Sequence, residues 1–252
     1  LLPLVWLLIS SFKEDPLARP GFQLPESMYF QGYISPFRAL DVMKYFGNSM
    51  IISLVSVVIS ILTISMSAYV VARMEFKGKA LVNMMLAATL FIPATSLTYP
   101  VYNLVNRLGI YDTRAALILI YSCSGIAVSF FVIKNYYDNV PRELEEAARI
   151  DGCSYAQTWW YVIFPIARPG ILTAAVLAFL NNWNEYYWAS LIIIDRAKLP
   201  VPALLSNFTT AFTTNYNGLF SAMVVIILPP IILYVAFNKF FIEALSGGAV
   251  KG

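Results

Sequence analysis

Residues 142–170 read RELEEAARIDGCSYAQTWWYVIFPIARPG, a charged and punctuated stretch between two of the longest apolar runs in the chain. Pro141 stands where a helix begins, because the N–H it lacks is not needed there. Glu143, Glu145 and Glu146 fall in the first turns, where the helix dipole favours acid. Leu144, Ala147, Ala148 and Asp151 keep helical spacing and give the segment a small, apolar face. Gly152 stops the helix as a glycine does just past a C-cap. Ser154 and Gln157 then form a capping box that opens a second helix. Trp159, Trp160, Tyr161 and Phe164 on that helix are the amphipathic rings of a membrane interface, and Pro165 and Pro169 are expected to end it. On pattern alone this helix–turn–helix either seats in a groove of another protein or lies on lipid.

The surroundings of the stretch are apolar. The chain has 252 residues, of which 59% are hydrophobic and 12% charged, and a mean hydropathy of +0.69. Soluble domains carry about 25% charged residues, so this composition belongs to the membrane class. The net charge is +3, and RMEFKGK at 73–79 is the longest basic cluster, so no nucleic-acid partner is expected. Histidine is absent. That removes histidine acid–base chemistry and HExxH zinc sites. The sequence contains neither GxxxxGK[ST] nor GxSxG, so it has no phosphate-binding loop and no nucleophile elbow of its own. Cys123 and Cys153 read as free thiols. The opening run LLPLVWLLIS lacks a basic flank and a cleavage site, and reads as the remainder of a truncated first span rather than a signal peptide.

Six apolar segments stand out: 1–12, 47–72, 80–105, 114–134, 169–194 and 219–242. The expected fold is an all-α membrane protein with six transmembrane helices, the first truncated, in a single domain spanning 1–252. Pro93 and Pro100 should kink or break the third segment, and Pro229 and Pro230 should bend the sixth. Ser49, Ser53, Ser56 and Ser60 share a helical face that suits either close helix packing or a pore lining. Lys and Arg are almost evenly divided between the two sets of loops, so charge asymmetry does not orient the chain. Only the basic hairpin 73–79 leans toward the cytoplasm.

A carboxylate within a span is costly, and such a group is by default functional or paired. If 169–194 is one helix, Asn181, Glu185 and Trp188 lie on one face near mid-membrane, with Asn184 alongside. Amide, carboxylate and indole suit a sugar pathway; the alternative is hydrogen bonding that holds the bundle together. Thr95, Ser96, Thr98 and Tyr99 in the third segment form a second pathway candidate.

EAARIDGCSYAQTWWYVIFP closely resembles the EAA loop of ATP-binding-cassette importer permeases, whose pattern is E-A-A, three residues, G, nine residues, I-x-L-P. Glu146, Ala147, Ala148, Gly152 and Pro165 match it, with Val162 and Phe164 standing for the Ile and Leu. Asp151 before the glycine resembles the carbohydrate-importer version. ARMEFKGK at 72–79, NNWNEYYWASLII at 181–193 and LSGGAVKG at 245–252 are similar, in that order, to the maltose-transporter type of permease subunit.

The resemblance implies a type I importer permease that forms half of a translocation pathway for a di- or oligosaccharide. It implies a second permease subunit, two ATPase subunits carrying ATP and magnesium, an extracytoplasmic sugar-binding protein, and no cofactor in this chain. Residues 135–168 would be the cytoplasmic coupling loop, with Leu144, Glu146, Ala147, Ala148, Asp151, Gly152 and Pro165 passing ATPase closure to the membrane. Residues 243–252 would be a cytoplasmic tail whose Gly247, Gly248 and Lys251 reach the ATPases. The setting would be a bacterial or archaeal cytoplasmic membrane. A proton-coupled secondary transporter or a channel is the alternative, distinguished by independence from a separate ATPase; the sequence shows no convincing internal repeat and only one carboxylate deep in a span.

Overall fold

The computed structural model describes residues 2–18, 20–39, 41–209 and 213–249, the side chains of 36–39 and 238–249 excepted. Helices dominate the described residues, and a bridge between Thr209 and Thr214 is the extent of strand pairing among them. This is what a bilayer demands, because a helix satisfies its own backbone where no water can.

The chain begins with α1 (Leu2–Ser11) and α2 (Gln31–Ala39), followed by α3 (Val42–Arg73), which runs 32 residues without Pro and ends on its first cationic residue after Lys44. A short turn leads to α4 (Lys79–Ala88) and, beyond a break, α5 (Thr98–Arg107), the two bent by 102°. The break follows from Pro93. Proline drives its predecessor out of the helical region, and Ile92 is extended at φ −91°, ψ 114°. Pro100 sits in the first turn of α5, where a missing N–H costs nothing, and causes no second kink. Next come α6 (Arg114–Ser122) and α7 (Ile126–Asn139), bent by 48° where Gly125 takes φ +65°. The charged stretch supplies α8 (Glu143–Ile150), α9 (Tyr155–Thr158), a π-helical turn (Trp159–Ile163) and α10 (Phe164–Ile166). An 82° bend then leads into α11 (Arg168–Trp183). Finally α12 (Tyr187–Ile192) is separated by a loop of 3-10 turns from α13 (Tyr216–Ala249).

Two helices, Val42–Arg73 and Tyr216–Phe237, are each long and apolar enough to cross a membrane, and the three bent pairs pass the same test when each is taken as one span. With the shorter apolar α1, five of the six apolar segments of the sequence have a direct counterpart, and the fifth, 169–194, is overlapped by the third bent pair only through Arg168–Trp183.

The helices group into two compact units. One contains residues 1–52, 111–117 and 183–232. Here the C-terminal carbonyls of α1 are taken up by α13: Asn217 Nδ2 donates to Ser11 O (3.1 Å) and Lys13 O (2.6 Å), and Ser221 Oγ donates to Ser11 O. The loop after α12 is fastened on two sides. Asn48 donates to Ala197 O and Leu199 O, and Ser49 Oγ accepts the Val201 N–H. Asp112, at φ +56°, accepts the N–H groups of Ile194 and Asp195 and pairs with Lys198 at 3.0 Å. The Asp195 N–H first, then the Lys198 ammonium, hold the Asp112 carboxyl below the usual carboxylate range.

The other unit contains residues 53–110, 118–182 and 233–252. Its core joins Ile61, Ile64, Ala68 and Tyr69 of α3 to Phe130, Ile133 and Tyr137 of α7, to Trp159 and Ile163, and to Ile171 and Ala174 of α11. Lipid is as apolar as these side chains, so close packing and hydrogen bonds, not expulsion from water, must hold the membrane-embedded part together. The serine stripe serves that packing: Ser49, Ser53, Ser56 and Ser60 are all buried, and Ser56 Oγ donates to Ile118 O. The tight seam at Gly170, where a Cβ would stand 2.1 Å from the Tyr136 ring, has the same character.

Pro229 and Pro230 do not interrupt α13. Pro230 cannot donate to the carbonyl four residues back, which belongs to Ile226. Trp183, with no exposed surface, supplies the missing donor: its Nε1 lies 3.1 Å from Ile226 O. Removing this N–H as Trp183→Phe strands a buried carbonyl and should cost about 1–3 kcal/mol, read as thermal unfolding in detergent. The loss should shrink in a Pro230→Ala background, where the backbone regains its own donor. Equal losses in both backgrounds would show that the indole does not replace the proline's hydrogen bond.

Candidate functional site

The stretch 142–166 is folded by its own caps. At the end of α8, the Gly152 N–H bonds to Arg149 O at 3.1 Å and the Cys153 N–H to Ala148 O at 3.0 Å. This is a full Schellman closure. It requires the left-handed φ of +85° that Gly152 adopts. Two residues on, Ser154 Oγ accepts the Gln157 N–H while Gln157 Oε1 accepts the Ser154 N–H, the expected capping box. The Arg149 guanidinium lies 4.7 Å above the Tyr155 ring and joins the two helices across the turn.

Helical phase sorts the side chains of α8. Leu144, Ala147, Asp151 and the 86%-exposed Ile150 point outward, whereas Glu145 and Ala148 turn into the protein. The small apolar face read from the sequence is corrected accordingly. Ala148 is only 7% exposed and packs against its own chain, and Ile150 takes its place at the surface. Glu146 is exposed and lines a cleft of ≈ 370 Å³ with Arg73, Met74, Glu75, Arg142, Glu145, Arg149 and Tyr155. Glu145 Oε1 lies 2.7 Å from Arg73 Nε, at the end of α3.

In the second half of the stretch, Trp159 and Ile163 are buried while Trp160 and Tyr161 remain exposed. The helix ends at Ile166, between Pro165 and Pro169, and the chain turns there by 82° into α11, as expected. A π-helical turn, Trp159–Ile163, lies just ahead of Pro165.

The pathway candidates are redistributed. The fifth segment is not one helix: α11 ends at Trp183, Asn184 to Tyr186 are non-helical, and α12 begins at Tyr187. Asn181, Glu185 and Trp188 therefore share no helical face. The interruption is built around Glu185, whose Oε1 accepts the Trp188 N–H (2.9 Å) and whose Oε2 accepts the Ala189 N–H (3.3 Å), capping α12. Trp188 is buried at 6% exposure, while Asn181 and Asn184 remain exposed. Thr95 and Tyr99 flank the break after Pro93, an exposed segment in which the hydroxyls of Ser96 and Thr98 bond back to Pro93 O and Thr95 O. At the C-terminus the α13 backbone continues through Gly247 and Gly248 to Ala249, so the start of the tail is helical; Lys251 lies outside the described residues.

The described residues form apolar, partly broken helical spans with a capped, outward-facing helix–turn–helix between two of them, the architecture of a helical membrane protein. Residues 60–246 match the model of the binding-protein-dependent transport system inner membrane component, and the chain belongs to that family. It is therefore the permease component of a transport system in which separate subunits hydrolyse ATP. The trehalose transport system permease protein SugB of Mycobacterium tuberculosis is 32% identical over 255 residues, covering 100% of this chain and 93% of the relative. The arabinooligosaccharides transport system permease protein AraQ of Halalkalibacterium halodurans is 33% identical, over 99% and 91% of the two chains. Among solved structures, a bacterial ABC transporter involved in import of the acidic polysaccharide alginate shares the fold, with a TM-score of 0.82 at 23% identity over 95% of this chain and 90% of that one.

What sequence reading missed was the partner set of Glu185. The signal was present in E-Y-Y-W-A, a carboxylate three residues ahead of an N–H it can cap. Glu185→Ala should lower stability by about 1 kcal/mol or somewhat more, whereas Glu185→Gln keeps an acceptor and should lose less. Thermal unfolding of the two variants in one detergent decides this, and an alanine variant as stable as the parent would remove the capping role.

Proposed function

We propose that this chain is one of two permease subunits of an ATP-driven importer for a di- or oligosaccharide, with residues 135–168 and the C-terminus on the cytoplasmic side. The observation that carries this reading is the outward face of α8. Leu144, Ala147 and Ile150 form a small apolar knob, Glu146 and Asp151 flank it with acid, and the Schellman closure and capping box fix its shape. Such a knob lying exposed next to a membrane has a ready use as one half of a joint. ATPase subunits that bind ATP and magnesium would grip it from the cytoplasm, and their closure would shift it.

The sugar class is supported by the named cargo of relatives that align along nearly the whole chain, which includes trehalose, arabinooligosaccharides and diacetylchitobiose. An extracytoplasmic sugar-binding protein would deliver the substrate. The pathway would run past the exposed break at Thr95 to Tyr99 and past Asn181 and Asn184. Non-helical backbone at membrane depth is tolerated only against protein or a water-filled cavity, and hydroxyls and amides are suitable partners for sugar hydroxyls. Glu185 and Trp188 would contribute by shaping the second break.

The experiment is affinity purification of the tagged chain from its native host in mild detergent. A second permease and an ATPase should accompany it, and reconstituted vesicles should take up sugar only with ATP and the binding protein present. A homo-oligomer without an ATPase would overturn the proposal in favour of a channel or secondary transporter. Gly152→Val tests the joint within that system. Its Cβ would meet no neighbour within 4 Å, so the strain is confined to the backbone, roughly 1–2 kcal/mol at a left-handed position. The variant complex should assemble and yet transport poorly. Uptake at the parental rate would remove the turn from the coupling mechanism.

A further inference from the structure

Three polar side chains leave the last turns of α3 on a single face: Ser65, Tyr69 and Arg73, each four residues from the next. All three engage the loop that carries the knob. The Ser65 hydroxyl, fully buried, shares a hydrogen bond with Tyr137 Oη, and the Trp159 indole N–H reaches Ser65 Oγ at 3.3 Å and Tyr137 Oη at 3.2 Å. Tyr69 Oη donates to Glu145 Oε2 at 3.4 Å. Arg73 holds Glu145 through the ion pair at 2.7 Å and donates from Nη2 to Val140 O, just ahead of Pro141. One helical face thus grips the loop at its entry, in its first helix and in its second.

The chemistry of the grip is informative. The Arg73 and Glu145 side chains are 6% and 15% exposed. Burying an ion pair costs about as much in lost hydration as its attraction returns, so it is a poor means of gaining stability and a better means of fixing geometry. Geometry is what an eight-residue helix lacks, because a helix of that length does not hold itself together in water. A force applied to Leu144, Ala147 and Ile150 would tilt or fray α8 unless something fastened it to a span.

Resting on the function proposed above, we infer that Ser65, Tyr69 and Arg73 are positioning residues that bind the loop to α3. A displacement of α8 by an ATPase is then carried into that helix instead of being absorbed within the loop. The three residues touch neither sugar nor nucleotide; they act through Glu145, Val140 and Trp159.

The test measures uptake per ATP hydrolysed in vesicles containing the whole complex. In Arg73→Gln and in Glu145→Gln this ratio should fall about tenfold, within the usual range of coupling between sites, while ATP hydrolysis continues. Arg73→Lys, which keeps the charge, should recover part of the ratio. Lys79→Gln, which breaks the exposed Glu75–Lys79 pair, should leave it unchanged. An unchanged ratio in both Arg73→Gln and Glu145→Gln overturns the inference. A second readout needs no transport: spin labels at the exposed positions Met66 and Glu143 should give a narrow distance distribution in the parental complex and a broad one in Glu145→Gln. Equally narrow distributions also overturn the inference, whatever the uptake result. A parental complex that shows no ATP-driven uptake counts against the functional reading instead, and the spin-label distances still decide whether the tether exists.

Discussion

Inside hydrocarbon every backbone N–H and C=O must find a partner within the protein, and at several breaks and prolines among the described residues a side chain meets that demand. Pro230 leaves the Ile226 carbonyl without its donor, and the Trp183 indole provides one. Ending α11 at that tryptophan exposes the first N–H groups of α12, and Glu185 accepts two of them. After Pro93 the hydroxyls of Ser96 and Thr98 bond back to nearby carbonyls. At the end of α6, Ser122 does the same with Ile118 O. The polar residues scattered through the apolar runs are mostly the repairs that let spans bend.

The loop 140–166 obeys a different rule. Its backbone is satisfied locally, by a Schellman closure and a capping box, so its shape does not depend on a partner being present. What it cannot supply is a fixed orientation, and Arg73, Tyr69 and Ser65 provide that from the adjoining span. A surface that is preformed and already oriented loses little conformational freedom when it is engaged. Under the function proposed above, this would suit a joint that is gripped and pulled through many cycles.

Local chemistry made much of this legible in the sequence. Gly152, the Ser154–Gln157 pair and Pro93 each act on their nearest neighbours, and each does what its residue type dictates. The misreadings have two causes, a local cap that was overlooked and competition from residues distant in sequence or from helical phase. Residues 171–199 contain neither Gly nor Pro, so nothing in composition marks the end of α11; the break is fixed by a carboxylate that caps the next helix. Pro229 and Pro230 lie inside a continuous α13, and the indole that bonds the carbonyl left without its proline donor belongs to a tryptophan more than forty residues earlier. The grip of α3 on the loop was invisible for the same reason, since the spacing of Ser65, Tyr69 and Arg73 acquires meaning only once Glu145 and Trp159 are seen opposite them.

The pair Ala147–Ala148 shows why the motif needs two small residues and not one. Neighbours in a helix are set about 100° apart around its axis, so they cannot both face the same partner. Ala148 is buried against its own chain, where a larger side chain would have no room without displacing α8. Ala147 is exposed between Leu144 and Ile150, where, under the function proposed above, a larger side chain would obstruct a partner's groove. One alanine is buried against its own chain, and the other would set how closely the helix can sit in a partner. The glutamates divide in the same way, Glu145 inward to Arg73 and Glu146 outward into the charged cleft. The tandem E-E-A-A at 145–148 is thus two faces written side by side, offset by one residue; under the function proposed above the outer face would meet the partner, and the stiffness of the connection between them would be that of a single helical turn.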